Sequence, residues 1–175
     1  MKLTLLALSL LALPAIAQTT VKDALVKHWK VSGEFTVAVA SAMPADGYNF
    51  RPSPEEMNFG QLMAHIGMAD ANACSNASGL PKPELKGSIA EWAKDQKKDV
   101  DREAALEFLT STFSFCDKAI SGVTLEQLDK VVGPPARNLT GYEWLWSYFT
   151  HTAHHRGQAE VYLRVKGLKP PAYKF

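Results

Sequence analysis

The stretch from Thr140 to Gly167 constrains the fold more than any other part of the chain. Thr140-x-x-Glu143 is a capping box, in which the two side chains satisfy the first free amides of a helix. Gly167 followed by Pro170 closes the segment, and no proline interrupts it. The same punctuation recurs upstream. Asn58 with Gln61 three residues on opens a helix that should run to about Ser78, where Gly79 and Pro81 stop it. Asp101 opens another, on which Ala105, Leu109, Thr112, Cys116 and Ile120 form one stripe. A further helix runs from about Val21 to Met43, with Val21, Leu25, Trp29, Phe35, Val39 and Met43 at mostly helical intervals and Met43-Pro44 as its end. Phe35 to Ala40 is β-branched enough to allow a strand, yet no turn and partner strand follow.

The connections are shorter pieces. Tyr48 to Met57, with Pro52 and Pro54, reads as extended. Ser88-x-x-Glu91 predicts a short helix through a solvated, lysine-rich stretch to Lys98. Thr124-x-x-Gln127 predicts a helical turn ended by Gly133-Pro134-Pro135. Four helices of roughly 20 to 28 residues with apolar stripes make an all-α four-helix bundle the expected fold. The long connections after the second and third long helices leave the order of directions open.

Composition is consistent with one domain. The 175 residues are 46% hydrophobic and 21% charged, enough apolar material for a core. A net charge of +1 gives no electrostatic footprint for nucleic acid. Two cysteines exclude a disulfide-dense miniprotein and an all-cysteine zinc site.

Met1 to Ala17 read as a cleavable signal peptide: Lys2 is the charged region, Leu3 to Leu13 the apolar region, and Ala15-Ile16-Ala17 the cleavage site. The apolar stretch is well short of the roughly 20 residues that span a bilayer. The expectation is a periplasmic or secreted domain of residues 18–175, with no stable membrane association. Lys2 leaves with the signal, so the remaining acids and bases balance.

Chemistry concentrates on the fourth long helix, which reads His151-Thr152-Ala153-His154-His155-Arg156-Gly157-Gln158. At about 100° per residue His151 and His155 lie about 40° apart, the spacing by which a helix offers two imidazoles to one divalent metal. His154 lies about 100° from His155 and is assigned to the rim. Trp144, Ser147, Gln158 and Tyr162 fall within about 40° of His151, so that face carries aromatic and hydrogen-bonding groups suited to a pocket. His65, among Leu62, Met63, Ala64 and Ile66, is the third candidate ligand, with Gln61 and Asn72 near the same face. The pair by itself is also compatible with chance on a surface, and His65 with a core histidine satisfied by one hydrogen bond. Three histidines from two helices would leave a coordination position open, as catalytic sites do. His28 is a weaker fourth candidate. Glu160 lies about 180° from His151, and Glu143 and Asp70 point off the pocket faces, so no general base is evident. HExxH, GxSxG, P-loop and GxGxxG patterns are absent.

Phe50-Arg51-Pro52, Gln61-Leu62-Met63-Ala64-His65-Ile66, His151-x-x-x-His155-Arg156-Gly157-Gln158 and Tyr162-Leu163-Arg164-x-Lys166-Gly167-Leu168-x-Pro170-Pro171 together resemble the DinB-like (damage-inducible) family of metal-dependent bundles. The resemblance implies up-down-down-up order and a divalent metal, commonly zinc or nickel, held by His65, His151 and His155. It also implies a reaction on a small molecule, as hydrolase or transferase, with Gln158, Tyr162, Trp144 and His154 shaping the pocket. Some relatives use a low-molecular-weight thiol at the metal, but an export signal departs from their cytoplasmic pattern. The alternative is a non-catalytic, metal-binding or metal-stabilised bundle, with a second copy of the chain as its partner.

Cys74 is about 180° round its helix from His65, and Cys116 lies on the apolar stripe of the third long helix. In an oxidising compartment a Cys74–Cys116 bridge is expected; two buried free thiols are the other reading.

Overall fold

The computed structural model describes residues 20–174; the signal-peptide expectation for residues 1–17 lies outside them. Helix α1 spans Val21–Ala42 and opens on a capping box between Thr20 and Asp23. The Phe35 to Ala40 segment is helical throughout, because Phe35, Thr36, Val39 and Ala40 are all buried and their packing overrides β propensity. A single 3-10 turn, Ala45–Gly47, follows. Helix α2 spans Phe59–Ser78, with Asn58 and Gln61 forming the expected capping box and Gly79 ending it in the left-handed region at φ 75°.

Helix α3 is shorter than the sequence predicts, Gly87–Lys94, and Lys86 rather than Ser88 precedes it. Ser88 Oγ instead donates to Asp101 Oδ2 at 2.6 Å and accepts from the Asp101 amide at 3.2 Å, so this hydroxyl fixes the start of the next helix. The stretch is not simply a solvated face either, since Ile89 and Trp92 are buried. Helix α4 spans Arg102–Gly122 with Asp101 accepting from the Ala104 amide, and α5 spans Leu125–Asp129 behind the Thr124–Gln127 capping box. A two-residue antiparallel ladder then joins β1 (Val131–Val132) to β2 (Leu139–Thr140), pairing Val131 with Thr140 and Val132 with Leu139. Strands this short carry no alternation to read. Helix α6 spans Gly141–Val165 from the Thr140–Glu143 capping box, and Gly167 at φ 74° closes it.

Four long helices form the bundle, and residue pairs fix their directions. Helices α1 and α4 are antiparallel: Arg102 Nε donates to the Met43 carbonyl at one end, and Lys22 Nζ to the Ser121 and Val123 carbonyls at the other. Helices α2 and α4 are parallel, with Gly67 against Phe108 and Cys74 against Cys116. Helices α2 and α6 are antiparallel, with Met57 just ahead of α2 meeting Tyr162, and Asp70 meeting Thr152. Helices α1 and α6 are parallel, with Trp29 beside Phe149 and Ser32 beside Arg156. The order is up-down-down-up, with α2 and α6 sharing the seam that holds the site.

Cys74 and Cys116 are bridged, with Cα atoms 5.3 Å apart, so the disulfide ties α2 to α4. Among the described residues no helix is long and apolar enough to cross a membrane.

Candidate metal centre

His65 is on the second turn of α2, and the antiparallel seam brings it opposite His151 and His155 on α6. The Nε2 atoms of His65 and His151 stand 3.1 Å apart. The ring of His155 lies 4.7 Å from that of His65 and 4.3 Å from that of His151, and one ligand nitrogen from each falls within 4.8 Å of the others. All three side chains are half-buried.

Their charge state suits ligation. Burial, and then the neighbouring imidazoles of His155, His65 and His154, push His151 down to about 4. Burial followed by the charge of His155 lowers His65. Burial also lowers His155, against the raising effects of its bond to Gln158 and the charge of Glu56. Neutral imidazoles are what a divalent cation binds. Gln158 Oε1 lies 2.7 Å from His155 Nδ1; an amide oxygen accepts, so the proton sits on Nδ1 and Nε2 keeps its lone pair. His151 Nδ1 is buried with no hydrogen-bond partner among the described residues. Three nitrogen donors converging from two helices, one oriented by an outer amide, fit a divalent ion held by histidine.

A cleft of about 560 Å³ opens beside the centre, with His65 and His151 in its wall. Of the pocket residues expected on α6, Ser147 lines this cleft. Trp144 stands behind it, its indole stacked 5.6 Å from Tyr148 and its Nε1 donating to the Val132 carbonyl at 2.9 Å. The β1–β2 ladder covers Trp144, which helical angles cannot foresee. Tyr162 is buried beyond the centre, its hydroxyl donating to the Met57 carbonyl at 3.0 Å. Gln158 acts through His155. His154 is exposed with its ring 4.8 Å from that of His155, and it does not line the cleft. Asn72 lines the cleft, whereas Gln61 donates to the carbonyls of Gln96 and Lys98 and anchors that loop. His28 is exposed on α1, outside the triad.

Several residues at the site are not among those expected from the sequence. Tyr148 packs against His151 with ring centroids 5.4 Å apart. Trp92 and Gln96 reach the cleft from α3 and the loop after it, and Arg137 from the β1–β2 connection. Glu56 precedes Met57, which Tyr162 pins to α6; its charge partly opposes the lowering of His155 by burial, and adds to the raising of Tyr162 that burial mainly causes. A carboxylate therefore acts on the centre from the connection ahead of α2, where spacing along a helix could not reveal it.

Arg156, between His155 and Gly157, turns the other way. Its guanidinium donates to the Ser32 carbonyl, Ser32 Oγ and Thr36 Oγ1 and lies 4.7 Å from the Phe35 ring centroid, binding α6 to α1.

A family model described as the DinB superfamily matches residues 29–159, a span that includes the three histidines. The chain belongs to the DinB superfamily. It is 26% identical over 147 residues to an uncharacterized Bacillus subtilis protein, YjoA, covering 82% of this chain and 89% of that one. The crystal structure of that DinB-like protein superposes with a TM-score of 0.67 at 21% identity, over 86% of this chain and 96% of the other. A DinB-like protein from Bacillus cereus gives 0.70 at 19% identity, over 89% and 99%, and a conserved protein from Enterococcus faecalis 0.63 at 18%, over 85% and 98%. These likenesses establish the fold.

Proposed function

We propose that this chain is an exported metal-dependent enzyme, a hydrolase or transferase acting on a small molecule, with zinc or nickel held by His65, His151 and His155. The observation that carries the reading is the convergence of three histidine side chains, two of which, His65 and His151, stand in the wall of a ligand-sized cleft. A structural metal needs no adjoining cavity, so the cleft favours the enzyme over the purely metal-stabilised bundle. Export is supported by the pattern of Met1 to Ala17 and by the Cys74–Cys116 bridge, which persists in oxidising compartments.

When bound, a divalent ion supplies Lewis-acid polarisation of a substrate atom. The protein's own groups do the rest. Gln158 fixes the tautomer and orientation of His155. Met68, Ala69 and Trp92 give the cleft an apolar wall that limits water. Glu56, exposed on the connection ahead of α2, places negative charge near His155.

Elemental analysis of the purified mature chain beside a His151→Ala/His155→Ala variant tests the ligand assignment. The expected result is about one divalent ion per wild-type chain and background in the variant; equal content in both rejects it. A hydrolase and transferase screen with and without chelator tests turnover. Should chelator lower the melting temperature while every activity stays at background, the metal-stabilised bundle is the correct reading.

A further inference from the structure

We propose that the cleft beside the histidines binds a small organic carboxylate, whose anionic group is held by Arg137 while its apolar body lies against Trp92 and Met68. The reaction at that carboxylate's other end rests on the metal reading above; its binding by Arg137 does not.

Arg137 is placed by the connection between β1 and β2. Its amide donates to the Pro134 carbonyl at 2.9 Å, its carbonyl accepts from the Leu139 amide at 3.0 Å, and Gly141 donates to the Lys130 carbonyl at 3.1 Å across the base of the hairpin. The loop thus folds back over the start of α6. There the guanidinium donates through Nη1 to the Tyr148 hydroxyl and lies 5.8 Å from the Trp144 ring centroid. Both partners are neutral, and no carboxylate pairs with Arg137 among the described residues. A guanidinium has five N–H donors in a planar fork, so one bond to Tyr148 leaves a two-point face for a carboxylate.

The rest of the lining agrees in sign. It contains no Asp, Glu or Lys, and Arg137 is its one arginine. Asn72 and Gln96 add neutral amides; Asn72 Oδ1 is occupied by Lys82 Nζ at 2.7 Å, which leaves its amide nitrogen as the donor. Arg137, Asn72 and Gln96 thus all offer N–H donors to an anion in the cleft. One cation with neutral donors suits a monoanionic carboxylate better than a phosphate dianion, for which clustered cations or several backbone amides are usual. A volume of about 560 Å³ is that of a small-molecule site.

The test titrates 4-fluorophenylacetate against the mature chain by fluorine NMR, with neutral 4-fluorophenylacetamide and inorganic phosphate as comparisons, in metal-loaded and chelator-treated protein. The carboxylate should bind better than the amide in both preparations, and phosphate should not displace it. Arg137→Gln should weaken carboxylate binding roughly tenfold to a hundredfold, and Arg137→Lys less, with metal content and melting temperature unchanged. Failure of the carboxylate to bind, equal binding of the amide, displacement by phosphate at equal concentration, or an unaltered Arg137→Gln titration each overturns the proposal. Absence of metal from the wild type would defeat the metal reading alone, since the Arg137 comparison is still read in chelator-treated protein.

Discussion

Against α4, helix α2 presents Gly67 and Cys74; against α6 it presents His65 and Asp70. On the first seam a Cβ at Gly67 would stand 2.7 Å from the Phe108 ring, and the disulfide holds the Cα atoms of Cys74 and Cys116 5.3 Å apart. That seam is closely packed. On the second seam Asp70 is fully buried, both its carboxylate oxygens meet Thr152 Oγ1 at 2.8 and 2.9 Å, and one turn away the histidines face each other. Polar groups here keep the helices from closing on one another and leave room for a ligand. One helix therefore serves two ends, with rigidity on the α4 side holding the α6 side in register.

The largest expected effect falls on the polar seam. His151→Ala should lower metal affinity by at least about a hundredfold, because the three-histidine site is left with two ligands. Circular dichroism should still show a folded bundle. Isothermal titration with zinc or nickel checks this, and unchanged affinity would remove His151 from the ligand set.

The next concerns the closely packed seam. Replacing both cysteines by alanine opens a crosslink with a sequence separation of 42, worth about 4 kcal/mol in the chain-entropy model. For a domain of this size that is a fall in melting temperature of roughly 8–16 °C. Metal content should not change. If it falls in parallel with stability, the two seams are not separable and the comparison fails.

Asp70 offers a smaller, pH-dependent effect. Burial raises its carboxyl to about 8, against the lowering influence of the Thr152 hydroxyl and then of Arg156. A carboxyl whose folded pKa exceeds its unfolded value stabilises most below the unfolded value near 3.8 and loses that contribution as pH rises towards 8. The slope is at most about 1.4 kcal/mol per pH unit. Urea denaturation from pH 5 to 8 should show stability declining in wild type relative to Asp70→Asn, which lacks the titrating group. Parallel curves would mean Asp70 stays ionised beside Arg156.

The smallest effect tests whether Gly157 serves the site. A Cβ there meets nothing within 4 Å, so Gly157→Ala should stabilise α6 by about 0.5–1 kcal/mol and leave metal content alone. A loss of metal would show that the glycine serves the centre in a way its packing does not reveal.

Local signals located most of the framework. Capping boxes at Asn58, Thr124 and Thr140 open helices where expected, and Gly79 and Gly167 close them, because caps are short-range chemistry written in neighbouring residues. Ser88 misled for the opposite reason: its hydroxyl bonds across the fold to Asp101 instead of capping its own helix. The spacing of His151 and His155 placed both on one face, since a helix fixes angles within itself. It did not place Trp144 or Tyr162 in the cleft, because what covers a helical face is set by other segments. Tyr148 lines the cleft in their stead, with Trp92 supplied by α3 and Arg137 by the β1–β2 connection.

Taken alone, the sequence determined four long helices, their ends, and three histidines able to meet. Each of these depends on interactions within a turn or two of chain, or on the angular period of one helix. Only the tertiary structure decided that α2 runs antiparallel to α6, which sets His65 Nε2 3.1 Å from His151 Nε2, and that a two-residue ladder carries Arg137 over the cleft. Those outcomes depend on which apolar stripes pack together across the bundle, and no residue's neighbours in sequence record that choice.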